Sequence, residues 1–328
     1  MTATSARARF VSDATPGKLR RRGLPPALAA SIRALARDRR SGSAELALRA
    51  CRVLERCDAL RARHGAVSGN ASARYDVIAR AVASAQPSMA SVWNVSHRWL
   101  RRLERSEAPA AAARAVAREL SQAQHHAAQR AAQLISRRAT VATYSASSTV
   151  FAALAEARER GRTFRVLCSE GRPMLEGRAF AVHLTQQGVP VELLTDAGLL
   201  AALPRADLVL MGCDAILPQG FVNKTGTRAI LCLARELRIP CYVLADSFKF
   251  LPPAAARWFE IREEAPGEVW SIPRNPRKPR KNPQNLSVRN FYFEHVPFDG
   301  CSGIVTERGV WSPRRVVRHL RDAGDSSP

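Results

Sequence analysis

The residue types able to do chemistry gather in the second half of the chain, each group just after a short β-rich run. The groups are Ser145-Ala146-Ser147-Ser148, Ser169-Glu170-Gly171-Arg172-Pro173, Asp196, Cys213-Asp214 and Asp246-Ser247-Phe248-Lys249. Hydroxyls at a helix start, together with Arg172, Arg178, Lys224 and Lys249, describe an anion site made by helix dipole, hydrogen bonds and charge. Phosphate is the natural anion of that size. Asp214 stands apart from these cations, because it closes the apolar run 208–211, where partial desolvation raises a carboxyl pKa and suits it to proton transfer. It could equally cap the following turn or pair with Lys224, and position alone does not choose. In the same way, Asn223-Lys224-Thr225-Gly226-Thr227 reads as ligand-facing or as a turn and helix cap, and Glu170 with Arg172 as site residues or a structural ion pair.

The cysteines add little to this list. Cys51, Cys57, Cys168, Cys213, Cys232, Cys241 and Cys301 show neither CxxC spacing nor a zinc-type Cys/His cluster, so reduced thiols and no metal or cofactor are expected. Cys168 and Cys213 are the two that fall at strand ends.

These residues share one place only if the elements before them are parallel strands. Strand-like runs at 140–144, 164–168, 191–195, 208–212 and 241–245 alternate with helical segments from Thr149, from Glu176, over 197–203 and from Thr225. Such alternation predicts right-handed crossovers, hence a Rossmann-like, doubly wound parallel-sheet domain over 139–328 that holds its ligand beyond the carboxyl ends of the strands. A late strand at 304–306 and a closing helix at 313–322 complete it. Residues 25–138 are Ala-rich, with Ala50, Val53, Leu54, Cys57 and Leu60 at helical spacing, and predict an N-terminal helical domain. Within it, Ser41-Gly42-Ser43 with Glu45 reads as a helix start whose hydroxyls satisfy first-turn N–H groups, and Gln86-Pro87-Ser88 interrupts the pattern before Met89. Residues 1–24 form a basic tail expected to be disordered, and 253–290 a polar, Pro-rich, basic insertion expected to be mobile.

Composition sets outer limits. The chain has 328 residues, 46% of them hydrophobic, and a net charge of +23 supplied mostly by arginine. That charge attracts polyanions, either as a solvated Arg-rich surface or through RNA binding by the basic segments; no RNP, KH or zinc-finger motif accompanies it. No run approaches the roughly 20 apolar residues of a membrane span, and no apolar stretch follows the N-terminal basic residues, so a cytoplasmic protein without a membrane partner is expected.

At the strand ends the chain resembles the family of the α, β and δ subunits of translation initiation factor 2B, which includes methylthioribose-1-phosphate and ribose-1,5-bisphosphate isomerases. Ser169-Glu170-Gly171-Arg172-Pro173-Met174-Leu175-Glu176-Gly177-Arg178 is similar to the family's E-S-R-P-x-x-E-G-R segment. Leu194-Thr195-Asp196-Ala197, Met211-Gly212-Cys213-Asp214-Ala215-Ile216-Leu217, Val222-Asn223-Lys224-Thr225-Gly226-Thr227, Phe248-Lys249-Phe250 and Phe293-Glu294-His295-Val296-Pro297 follow in the family's order. In the N-terminal half, Asp38-Arg39-Arg40-Ser41-Gly42-Ser43 and Gln86-Pro87-Ser88-Met89 match more weakly. The resemblance implies a pocket for a sugar phosphate or nucleoside monophosphate formed by Arg172, Glu176, Arg178, Asn223, Lys224 and Lys249. It also implies pairing into a homodimer or larger assembly, and a regulatory or assembly-forming role. Nothing here resembles the nucleotide-exchange domain, which belongs to other subunits.

Two departures bear on catalysis. The isomerases carry R-G-A where this chain has Ser41-Gly42-Ser43, and a catalytic cysteine where Ser145 stands, while Asp214 matches their catalytic aspartate. Cysteine ionises near pH ~8.5 and can be tuned lower, whereas a serine alcohol without a neighbouring base stays protonated. The resemblance therefore implies ligand binding first. The alternative is an aldose-ketose isomerase, an intramolecular oxidoreductase, using Asp214 with Ser145 or with a thiol from Cys168 or Cys213.

Overall fold

In the computed structural model the described residues are 24–58, 71–256, 259–271 and 285–325. The strands of the main sheet are β1 (Thr140–Thr143), β2 (Arg165–Ser169), β3 (Val191–Leu194), β4 (Leu208–Gly212), β7 (Cys241–Leu244), β9 (Gly303–Thr306) and β10 (Gly309–Trp311), in the order β10-β9-β7-β4-β1-β2-β3. Every pair is parallel except β9 with β10. All residues of β1 and β4 are buried, as central strands covered on both faces require. Strand order runs one way from β1 through β2 to β3 and the other way from β4 through β7 to β9. The topological switch point therefore lies between β1 and β4, and the residues after those two strands face each other across it.

The sheet's two faces carry separate apolar clusters, one with Leu199, Met211, Ile230 and Ile304, the other with Val141, Leu154, Val166 and Phe180. Upstream, Leu46, Leu54, Ile78, Val95, Trp99 and Leu120 make the core of a helical half. The helix Pro109–Gln133 joins the halves: its early Ala112, Ala113 and Val116 lie in the helical core, its later Ala128, Ala131 and Ala132 against the sheet. At about 1.5 Å per residue such a helix runs through both layers, and alanine side chains let its neighbours approach closely. Phe248, which follows β7, is fully buried in the helical core, and Asn94 donates from Nδ2 to the carbonyls of Phe248 at 2.7 Å and Phe250 at 3.0 Å.

Three features differ from the sequence reading. A second, antiparallel sheet of β5 (Ala215–Leu217), β6 (Gly220–Lys224) and β8 (Phe293–Val296) stands beside the main one, so Asn223 and Lys224 are strand residues, not a turn. Its strands are three to five residues long and its third member comes from far along the chain, which leaves no periodic signal. Gly220 fits this sheet because a Cβ there would meet the Val296 carbonyl oxygen at 2.2 Å. The helix Ser43–Glu55 does begin where expected, but no side chain caps it; Asp38 Oδ1 accepts from the backbone of Arg40 and Ser41 instead, and the Ser43 hydroxyl points elsewhere. Finally, the described part of the insertion is tied down, with Ser88 Oγ donating to the Glu260 carbonyl and Arg39 paired to Glu264 at 2.9 Å. The basic tail up to residue 23 and the basic run at 274–281 lie outside the described residues. Among the described residues no helix is long and apolar enough to cross a membrane.

Candidate functional site

Ser145 follows β1 in the left-handed backbone region, with φ of 63°, a conformation that costs a non-glycine residue about 1 kcal/mol or more. Its amide donates to Ser169 Oγ at 3.3 Å and its hydroxyl donates to Glu176 Oε1 at 2.6 Å. Glu176 reaches this point because the next residue has no side chain. A Cβ on Gly177 would lie 1.8 Å from the Ser169 carbonyl oxygen, so glycine alone lets the helix Glu176–Gln186 start against the end of β2.

The same Glu176 Oε1 accepts from Lys224 Nζ at 2.7 Å. Lys224 is buried, with its ammonium 5.4 Å from the centre of the Tyr292 ring. Glu176 Oε2 is buried and has no hydrogen-bond partner among the described residues. Asp214, half-buried across the switch point, has its carboxyl pushed up to about 6: burial raises it most, Lys249 and Lys224 pull it down, and Glu176 pushes it up. Its backbone ties it in place, since Asp214 N–H donates to Val222 and its carbonyl accepts from Ala90 at 3.2 Å, the first residue of the helix Ala90–Leu103. Lys249, buried, donates from Nζ to Ser43 Oγ at 2.6 Å, and Ser43 Oγ lies 2.8 Å from Ser91 Oγ.

Five of the expected residues thus converge: Ser145, Glu176, Asp214, Lys224 and Lys249. Three are engaged elsewhere. Arg172 is exposed and donates from Nη2 to the Val269 carbonyl at 3.3 Å, while Arg178 pairs with Glu170 at 2.6 Å, so Glu170 takes Arg178 and not Arg172. Asn223 spends its amide on Thr227 Oγ1 at 2.9 Å, and that hydroxyl closes onto the Lys224 carbonyl, shaping the start of the helix Thr227–Glu236.

Both strand-end thiols are out of reach of the chemistry. Cys168 lies in the apolar cluster on the opposite side of β2 from Ser169, and burial pushes it up to about 12; Cys213 is buried, raised further by burial, and directed to the Leu244 carbonyl. Neither supplies a thiolate. Acidic residues occupy the anion positions instead. Glu294 Oε1 accepts from the amides of Gly226 and Arg228 at 2.8 and 2.9 Å, filling the N-terminus of the helix Thr227–Glu236. Asp196 does the same for Gly171 and Arg172. Asp196 was visible in the sequence as a strand-end residue and Glu294 only as a member of a quoted segment, because the partners are set by folding and not by spacing.

The pattern of the initiation factor 2 subunit family matches residues 39–313. The chain belongs to that family. Among relatives of this initiation factor 2 family member is a translation initiation factor eIF-2B subunit 2-like protein of Pyrococcus horikoshii, 31% identical over 238 residues, covering 72% of this chain and 80% of the relative. A methylthioribose-1-phosphate isomerase of Pelotomaculum thermopropionicum is 39% identical over 162 residues, 48% of this chain, and the match spans 43% of that isomerase's length. The crystal structure of the Pyrococcus horikoshii translation initiation factor eIF-2B superimposes with a TM-score of 0.76 at 27% identity, over 90% of this chain and 100% of the other. A helical N-terminal part followed by a mostly parallel sheet is thus the fold of the family.

Proposed function

We propose that this family member binds a sugar phosphate or nucleoside monophosphate at the switch point and acts by regulation or assembly, without turning the ligand over. The observation that carries this reading is the pair of buried ammonium groups, Lys224 and Lys249, at a switch point where Ser145 stands in place of the resembling isomerases' cysteine. Glu176 Oε2, buried without a donor, is an acceptor of the kind a sugar hydroxyl satisfies. Lys224 and Lys249 are the cations for the phosphate, with the exposed Arg172 and Arg178 able to swing in from the rim. Two carboxylates, Glu176 and Asp214, oppose two ammonium groups, so an entering phosphate gains most from Lys224 exchanging Glu176 for the ligand. A homodimer or larger assembly, and RNA as a partner of the basic segments, belong to the same proposal.

Two observations favour the second reading, an isomerase. Moving hydrogen between C2 and C1 of an opened sugar needs an acid and a base, and Asp214 near pKa 6 is suited to exchange protons at neutral pH. Glu176 offers Ser145 a proton acceptor that the sequence alone did not reveal. Incubation with ribose 1,5-bisphosphate or methylthioribose 1-phosphate, followed by ³¹P NMR, separates the two. Binding without conversion is the expected result; conversion that disappears in Asp214→Asn establishes the isomerase instead, and absence of any binding removes the phosphate-site reading.

A further inference from the structure

Away from the strand ends, a cavity of about 220 Å³ opens where the helix Ala90–Leu103 meets the β9–β10 hairpin and the helix Pro313–Asp325. Its walls are rings. Trp93 stacks on His97 with centroids 4.9 Å apart, and Trp311 stands edge-on to Phe250 at 5.9 Å and to His319 at 5.1 Å. The charge lining this cavity is mainly positive. Trp311 is 5% exposed and its indole N–H is buried without an acceptor among the described residues. Arg308 is exposed at the cavity, and its guanidinium has no hydrogen-bond or ion-pair partner among the described residues. Glu307 Oε2 takes the Ser247 amide at 3.1 Å, and the Ser247 carbonyl and hydroxyl take Arg98 Nη2 at 3.2 and 3.0 Å. Two arginines, Arg98 and Arg308, face one glutamate across this space.

We propose that this cavity is a second binding site, for a small carboxylate carrying a flat apolar body. The carboxylate supplies the counter-charge that Arg308 lacks, and the ring packs against Trp93 and Phe250. Charge-assisted hydrogen bonds to arginine fix the anion, and aromatic contact fixes the body. The volume lies below the roughly 300 Å³ at which ordinary ligand pockets begin, which admits one ring and its acid group and turns away a nucleotide or a sugar bisphosphate. The site is therefore separate in chemistry from the strand-end site, and it stands whether or not that site takes a sugar phosphate.

Ligand-observed NMR titration of the full chain with benzoate, its neutral counterpart benzamide, and inorganic phosphate tests this. Benzoate is expected to bind, with benzamide and phosphate each about tenfold weaker, a factor typical of losing one charged hydrogen bond or the apolar contact. Arg308→Ala should weaken benzoate by about tenfold, at an exposed position where folding is not at stake. Lys224→Ala should leave benzoate binding unchanged. Failure of benzoate to bind, equal binding of benzamide or of phosphate, or loss of benzoate in Lys224→Ala would each overturn the proposal.

Discussion

Asp214 carries a measurable thermodynamic signature. Folding raises its carboxyl from the ordinary value to about 6, so between about pH 4 and 6 the native state holds a proton that the unfolded chain has released. Stability from this group is complete below that window and declines as pH rises through it. Asp214→Asn, which cannot ionise, is expected to stabilise the protein by about 1 to 3 kcal/mol at pH 7.5 and by little at pH 4, measured by urea unfolding at both values. Glu176 carries the opposite expectation. Removing it in Glu176→Ala leaves the buried Lys224 ammonium without its carboxylate, at a cost of about 3 kcal/mol in the same assay. At this scale the sequence showed which residues gather but not their pairing. The distance between Arg178 and Glu170, or between Glu294 and the Gly226 amide, follows from the path of the backbone, and residue type alone placed the two arginines inside the site.

Elements deliver those residues, and the contacts that seat them are close. Gly177→Ala forces a methyl group into the Ser169 carbonyl, so the helix Glu176–Gln186 must move off the end of β2; a loss of about 3 kcal/mol or more is expected, with Glu176 withdrawn from Ser145. Circular dichroism melts report the first effect, and weakened binding of ribose 1,5-bisphosphate by the variant the second. The parallel strands were legible because β-rich runs of four or five residues alternate with helical spacing over much of the chain, and each observed strand of the main sheet from β1 to β7 overlaps a run read from sequence. The small sheet was not. Ala215–Leu217 is too short to show alternation, and Gly220–Lys224 ends in Asn and Lys, residues that sequence reading assigns to turns.

Across the whole molecule, the two halves depend on one another through Phe248. Phe248→Ala empties a fully buried site in the helical core from a residue that follows β7, and it is expected to cost about 3 to 5 kcal/mol in a single urea transition; two separate transitions in the parent protein would contradict that coupling. Composition had pointed to two parts, and the change of period near residue 138 to their order, but nothing in the sequence announced that a phenylalanine after β7 would serve the other half. The bond from Lys249 to Ser43 spans 206 positions of the chain. During synthesis Ser43 is made long before Lys249, so the hydroxyl waits for the ammonium group that completes the site, and a chain stopped short of Lys249 lacks that bond. Contacts of such long range are slow to form. Competence to hold an anion should therefore appear late in refolding, after most of the helical signal has returned.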